Sequence, residues 1–427
     1  MGGKDTDDTS FLVKGAPASP GVGSGTVVIV SSDPREINHV QEGDVLVTEM
    51  TTPDFVPAMK RARAIVTDKG GRTCHAAIVS RELGVPCIVG AGNATSVLKV
   101  GQKVTVNATE GKVYDGILDI KTGAPKTYGK YKKTKTKLYS NLADPERAEE
   151  VAQLNVDGVG LLRAEFIIAH HVKEHPRHMI EDGKGAEFSK KLAEGISVFA
   201  KAFSPRPVVY RTTDFKTNEY RNLIGGAKFE ELEENPMIGY RGAFRHLADR
   251  EVFDLELDAI RMVESKYPNL NIMIPFVRTP EELKKVKDIL LEKGVAKGKF
   301  WIMVEVPSTV ILLDKFLDVG VDGVSIGSND LTQLTLGVDR DNAKYAEMFD
   351  ERNEAVMWSL ERVITTCKKR GVTVSICGQA PSFYPDMTEK LVSWGITSVS
   401  VSPDMILRTR DIIGDVEKKM GILPPQE

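Results

Sequence analysis

The chain has 427 residues and a net charge of −3, with 41% hydrophobic and 27% charged residues. That length allows two domains or more. The composition is that of a soluble protein able to build hydrophobic cores, and the charge balance gives no argument for nucleic acid or an anionic membrane as partner.

Residues 1–10 open with Met1-Gly2-Gly3-Lys4-Asp5 and read as a short flexible leader, not a signal peptide. Residues 11–118 read as a small domain of short strands, with β-branched or alternating runs at 25–30, 45–48, 103–106 and 112–114. Its one clear helical pattern, Ala76 to Leu83, follows Gly70-Gly71-Arg72-Thr73-Cys74-His75 and is closed by Gly84. A glycine turn lets the backbone approach a ligand closely. A helix start offers free N–H groups to an anion such as a phosphoryl group. Imidazole is a competent nucleophile, so His75 is a candidate phosphoryl carrier. The plainer alternative is a buried histidine at an ordinary strand–helix turn.

Residues 119–137 change character. From Lys121 to Lys137 there are seven lysines and no acid, which reads as a solvated basic linker with a reach of ~55 Å when extended. From 138 to 427, eight apolar runs alternate with amphipathic stretches such as 280–293 and 353–370. The runs are 138–141, 159–163, 208–211, 272–276, 301–306, 324–327, 373–377 and 399–402. Eight such units predict a parallel (β/α)8 barrel. An open doubly wound sheet is the alternative, but no GxGxxG follows the first strand.

Polar residues sit at the downstream ends of these runs: Arg163, Arg211, Glu305, Asn329 with Asp330, and Cys377. Barrel strands converge at their C-terminal ends, so two arginines, two carboxylates, an amide and a thiol are expected at one mouth. Taken singly, each has a plain reading as a salt-bridge partner, a loop cap or a small core residue. Together they suit a small anion that enolises. Glu305 and Asp330 are the right donors for Mg²⁺, the arginines for carboxylate or phosphate, and Cys377 for moving a proton at carbon. The four cysteines, Cys74, Cys87, Cys367 and Cys377, lack CxxC or zinc-like spacing and read as free thiols of a cytoplasmic protein. No apolar run approaches a membrane span.

Two long stretches carry a resemblance: Gly70 through Arg81, and Asp322-Gly323-Val324-Ser325-Ile326-Gly327-Ser328-Asn329-Asp330 onward to Arg340. Shorter ones lie at 215–220, 234–242 and 377–382. On these the chain resembles the phosphoenolpyruvate (PEP)-utilising enzymes, in their pyruvate, water dikinase branch, from about residue 11 to 415. The resemblance implies a swivelling β/β/α phosphohistidine domain followed by a TIM barrel. It implies His75 as the phosphohistidine, on Nε2, and Cys377 as the acid at C3 of enolpyruvate. Glu305 and Asp330 become Mg²⁺ ligands. Arg163, Arg211, Gly327, Ser328 and Asn329 become contacts to pyruvate and PEP, together with Glu305 and Asp330, and Arg241 and Arg340 are further ones. Thr73 falls where related enzymes are regulated by phosphorylation, or caps the helix. The resemblance also implies pairing through the barrel, and an ATP-grasp module that this chain does not contain, either a lost half or a separate subunit. Three rival readings stay open: a PEP–protein phosphotransferase, a pyruvate phosphate dikinase-like enzyme, and a non-catalytic remnant.

Overall fold

The structure is a computed structural model. It describes residues 11–422 apart from 32–33, 52–54, 72–73, 121–132, 296, 341, 343–344, 346–347 and 379. Both the leader and most of the basic linker therefore lie outside the described residues. Two compact units emerge: 1–127 with 339–348, and 128–338 with 349–427.

The first unit holds strands β1 (Val13–Lys14), β2 (Ala16–Ser19), β3 (Val22–Val30), β4 (Val45–Thr48), β5 (Ala64–Thr67), β6 (Cys87–Val89), β7 (Lys103–Asn107) and β8 (Lys112–Asp115). Their order is β1-β8-β7-β3-β4-β5-β6-β2. The central β3, β4, β5 and β6 pair in parallel, and the flanks are antiparallel. Val27, Val45, Val47, Val66, Ile88 and Val104 form the core. Burying each such side chain contributes about 1.5–3 kcal/mol.

The second unit is the expected barrel. Strands β9 (Lys137–Leu142), β10 (Gly158–Arg163), β11 (Val208–Arg211), β12 (Leu270–Ile274), β13 (Phe300–Val304), β14 (Gly323–Ile326), β15 (Thr373–Ile376) and β16 (Ser398–Val401) close in sequence order. β16 pairs in parallel with β9. These strands are buried on both faces, which is why β12 and β13 read as continuous apolar runs. Side chains still alternate. Phe300, Ile302 and Val304 join the layer under the helices, whereas Trp301 and Met303 point inward beside Leu161, Val209, Met273 and Cys377. The helix Gly185–Phe203 buries Phe188, Leu192, Ile196, Phe199 and Phe203 on one face. Truncating Phe199 to alanine removes one of these, at a cost of about 3–5 kcal/mol.

The strands stop short of several expected runs. β12, β13, β14 and β15 end at Ile274, Val304, Ile326 and Ile376, so Glu305, Gly327 and Cys377 lie one residue past a strand. Asn329 and Asp330 belong to the first turn of the helix Ser328–Leu336. At the other end, Thr134 and Thr136 are buried. The amides of Lys135 and Thr136 donate to Glu417 at 2.8 and 2.7 Å, so this end of the basic stretch is docked on the helix Ile406–Lys419.

Candidate active site

Strand parity builds the barrel mouth. Arg211 lies two residues beyond inward-facing Val209, and Glu305 two beyond Met303. Period-2 alternation therefore aims both along the barrel axis at its C-terminal end. Arg211 Nη2 lies 3.1 Å from Glu165, and its Nη1 lies 3.4 Å from Asp214. Asp214 in turn accepts from Arg241 Nε at 3.0 Å and Nη2 at 2.6 Å. Arg241 Nη2 also reaches Asp330 at 3.2 Å. These groups form one buried charge network. Burial alone pushes the Arg241 guanidinium down, but Asp214, Asp330 and Glu305 outweigh it, and the net shift is upward. Arg211 behaves in the same way through Glu165, Asp214 and Glu305.

Glu305 is 2% exposed. Burial, then the charges of Asp330 and Asp214, push its carboxyl up to about 8 against the pull of Arg241 and Arg211. Its Oε1 accepts from the Phe276 amide at 2.7 Å. Phe276 has φ +45, in the left-handed region that is costly for a bulky residue. Arg241 and Arg278 stack over its ring, at 4.1 and 4.8 Å. Cys377 is 5% exposed. Burial pushes its thiol up to about 11; the Ser325 hydroxyl pulls the other way, and the charges of Glu305, Arg211 and Arg163 all act on it.

Arg163, Arg211, Arg241, Glu305, Asp330 and Cys377 thus gather on one mouth. A Cβ on Gly327 would fall 2.9 Å from Glu305 Oε2, so Gly327 stands beside that carboxylate. Ser328 donates its hydroxyl to Glu351 at 2.5 Å and opens the helix Ser328–Leu336. Asn329 is half-buried in the same turn. Arg340 falls in the segment 339–348, which groups with the first unit. Thr73 lies outside the described residues, and the helix is capped by Cys74, without a side-chain capping bond.

His75 is in the first unit. It opens the helix His75–Leu83, which ends on Gly84 at φ +71. Gly70 has φ +103, and a Cβ there would lie 2.7 Å from Cys74 Sγ, so both the turn and the packing call for glycine. A small cavity beside the imidazole is lined by Met50, Thr51, Lys69, Gly70 and Cys74. His75 Nδ1 is 2.9 Å from Thr51 Oγ1.

Sequence reasoning missed Thr51, Glu165, Asp214 and Phe276. Glu165 and Asp214 follow Arg163 and Arg211 closely, and the rule that picked the arginines could have reached them. Arg211 and Arg241 meet Glu165, Asp214, Glu305 and Asp330 here. The Asp330 charge helps to raise the Glu305 carboxyl, and two neighbouring carboxylates suit a divalent cation with a preference for oxygen. Among the described residues, the close-set metal-capable trio lies elsewhere, at Glu174, His178 and Asp182. There the Lys184 ammonium already pairs with Asp182 at 3.0 Å.

Two family models match the chain: PEP-utilising enzyme, mobile domain, over residues 40–111, and PEP-utilising enzyme, PEP-binding domain, over residues 124–418. The chain belongs to the PEP-utilising enzymes. Among its curated relatives are a probable phosphoenolpyruvate synthase of Staphylothermus marinus, 49% identical over 97% of this chain and 52% of the relative, and the phosphoenolpyruvate synthase of Aeropyrum pernix, 49% identical over 96% and 53%. That of Pyrococcus furiosus is 46% identical over 98% and 52%. The chain spans about half the length of the curated relatives it matches. No helix among the described residues is long and apolar enough to cross a membrane.

Proposed function

We propose that this chain moves a phosphoryl group between His75 and pyruvate, making or consuming PEP, as the names of its relatives suggest. What supports the reading above all is the convergence on one barrel mouth of Arg211, Arg241, Glu305 and Asp330 around the Cys377 thiol.

Thr51 Oγ1, 2.9 Å from His75 Nδ1, can accept an N–H from it; in that tautomer the lone pair sits on Nε2, the nitrogen that attacks phosphorus. In the PEP-consuming direction the bond from phosphorus to the C2 oxygen breaks and the bond from phosphorus to Nε2 forms. The helix start at His75 stabilises the transferred charge. Arg163, Arg211 and Arg241 hold carboxylate and phosphoryl oxygens, as planar guanidiniums do well. The enolate left behind takes a proton at C3 from Cys377 Sγ, and the thiolate regains one from solvent. A thiol pushed up to about 11 is protonated at neutral pH, as an acid must be. Glu305 and Asp330 would hold Mg²⁺, which when bound stabilises negative charge on the keto oxygen.

Because PEP itself loads His75, the test needs no ATP. Intact-protein mass spectrometry after incubation with PEP and Mg²⁺ should show one acid-labile phosphoryl adduct, absent from His75→Ala. No adduct on the wild-type chain, or an adduct that survives His75→Ala, counts against the proposal.

A further inference from the structure

We infer that Asn141 is the positioning residue that aims the Cys377 thiol at substrate carbon. The inference rests on the reading of Cys377 as the acid. Asn141 lies near the end of β9, the first barrel strand, and is 1% exposed. Its Nδ2 donates to the Cys377 carbonyl at 3.0 Å, and both residues are buried. Ser400, on β16, donates its hydroxyl to Asn141 Oδ1 at 2.6 Å. That bond sets the amide's orientation: Oδ1 is occupied as acceptor, so the N–H faces Cys377. Gly160 makes the room, since a Cβ there would fall 2.5 Å from Ser400 Oγ.

The anchor is needed because of what surrounds the thiol. On the N-terminal side, the Cys377 amide donates to Ile326 O at 3.0 Å, continuing the ladder between β14 and β15. On the other side the Cys377 carbonyl belongs to a peptide shared with Gly378, and glycine places little restraint on its rotation. Past Ile376 the strand has ended. Asn141 thus supplies the second fixed point of the Cys377 backbone, and the thiol, 3.6 Å from Ile326 O, is held between the two. Asn141 touches no reacting atom in this arrangement and acts through Cys377. Its loss should impair the step in which the S–H bond breaks and the C3–H bond forms, while sparing the exchange of phosphorus between oxygen and Nε2.

Those two steps can be read separately. One measurement is deuterium incorporation into the pyruvate methyl group in D2O with Mg²⁺, followed by NMR. The other is the single-turnover rate of phosphoryl loading from PEP. Misplacing a catalytic group by about 1 Å costs on the order of a hundredfold. Asn141→Ala should therefore slow methyl exchange by roughly 10- to 100-fold while loading stays within about threefold. Ser400→Ala, which deletes only the hydroxyl that orients the amide, should give a smaller loss in exchange alone, and it stands in if Asn141→Ala does not fold. Equal losses in both readouts, or exchange unchanged in either folded variant, overturn the inference. Cys377→Ala separates the two levels of the claim: if it exchanges like wild type, the acid assignment itself is wrong and the inference goes with it. If Cys377→Ala is dead to exchange but Asn141→Ala and Ser400→Ala are not impaired, only the positioning role is wrong.

Discussion

Replacing Glu256 with glutamine should change how barrel stability depends on pH. Glu256 lies on the helix Arg250–Glu264 and is 1% exposed. Its Oε1 accepts from Tyr210 OH at 2.8 Å and the Thr213 amide at 2.9 Å, and its Oε2 accepts from the Thr213 hydroxyl at 2.8 Å. Burial outweighs these donors and pushes the carboxyl from 4.5 up to about 7. A raised acid favours its protonated form in the fold, so its stabilising contribution is complete below pH 4.5 and is lost as pH rises through 7. The rise from 4.5 to about 7 is worth about 3.5 kcal/mol in all, at about 1.4 kcal/mol per pH unit. Glutamine does not titrate. The stability of wild type relative to Glu256→Gln should therefore fall by about 2.5 kcal/mol between pH 5 and pH 8. The assay is urea unfolding at a series of pH values, followed by tryptophan fluorescence. All three tryptophans, Trp301, Trp358 and Trp394, belong to the barrel unit, so the signal reports that unit. Parallel pH profiles for the two proteins would refute the reasoning, because titrating groups that do not interact with Glu256 cancel in the difference.

Asp214→Asn removes the charge that pairs with Arg241 and Arg211. Breaking a buried pair costs about 3 kcal/mol or more, and urea titration should show a destabilised barrel whose KM for PEP has risen. Gly378→Ala would place a Cβ 1.7 Å from Ser328 Oγ. Methyl exchange on pyruvate should collapse in this variant, since either Ser328 leaves Glu351 or the Cys377 segment lifts. Full activity in a folded Gly378→Ala chain would contradict that packing.

The barrel is legible in the sequence because its strands are buried on both faces, so several read as apolar runs, some of them closing on a polar residue. Val208–Arg211 is such a case. β6 escapes such reading: Cys87–Val89 is only three residues long and wholly buried, so nothing alternates. The site is legible where chemistry coincides with a strand end, as at Arg211, Glu305 and Cys377. Asp214 is harder to read, because a linear sequence does not say whether an acid beside a strand end faces an arginine or water. Asn141 is beyond local reading altogether. It bonds a carbonyl 236 residues away, and only closure of β16 onto β9 brings the two together. The left-handed backbone of Phe276 leaves no mark in residue type at all.

The central claim is a division of labour between a phosphoryl-carrying imidazole and a barrel mouth that enolises the keto acid. Its most direct test is His75→Ala, assayed for phosphoryl uptake from PEP and for deuterium exchange into pyruvate. The account predicts that uptake is lost while exchange continues at close to the wild-type rate. Disappearance of both in a folded protein would contradict it.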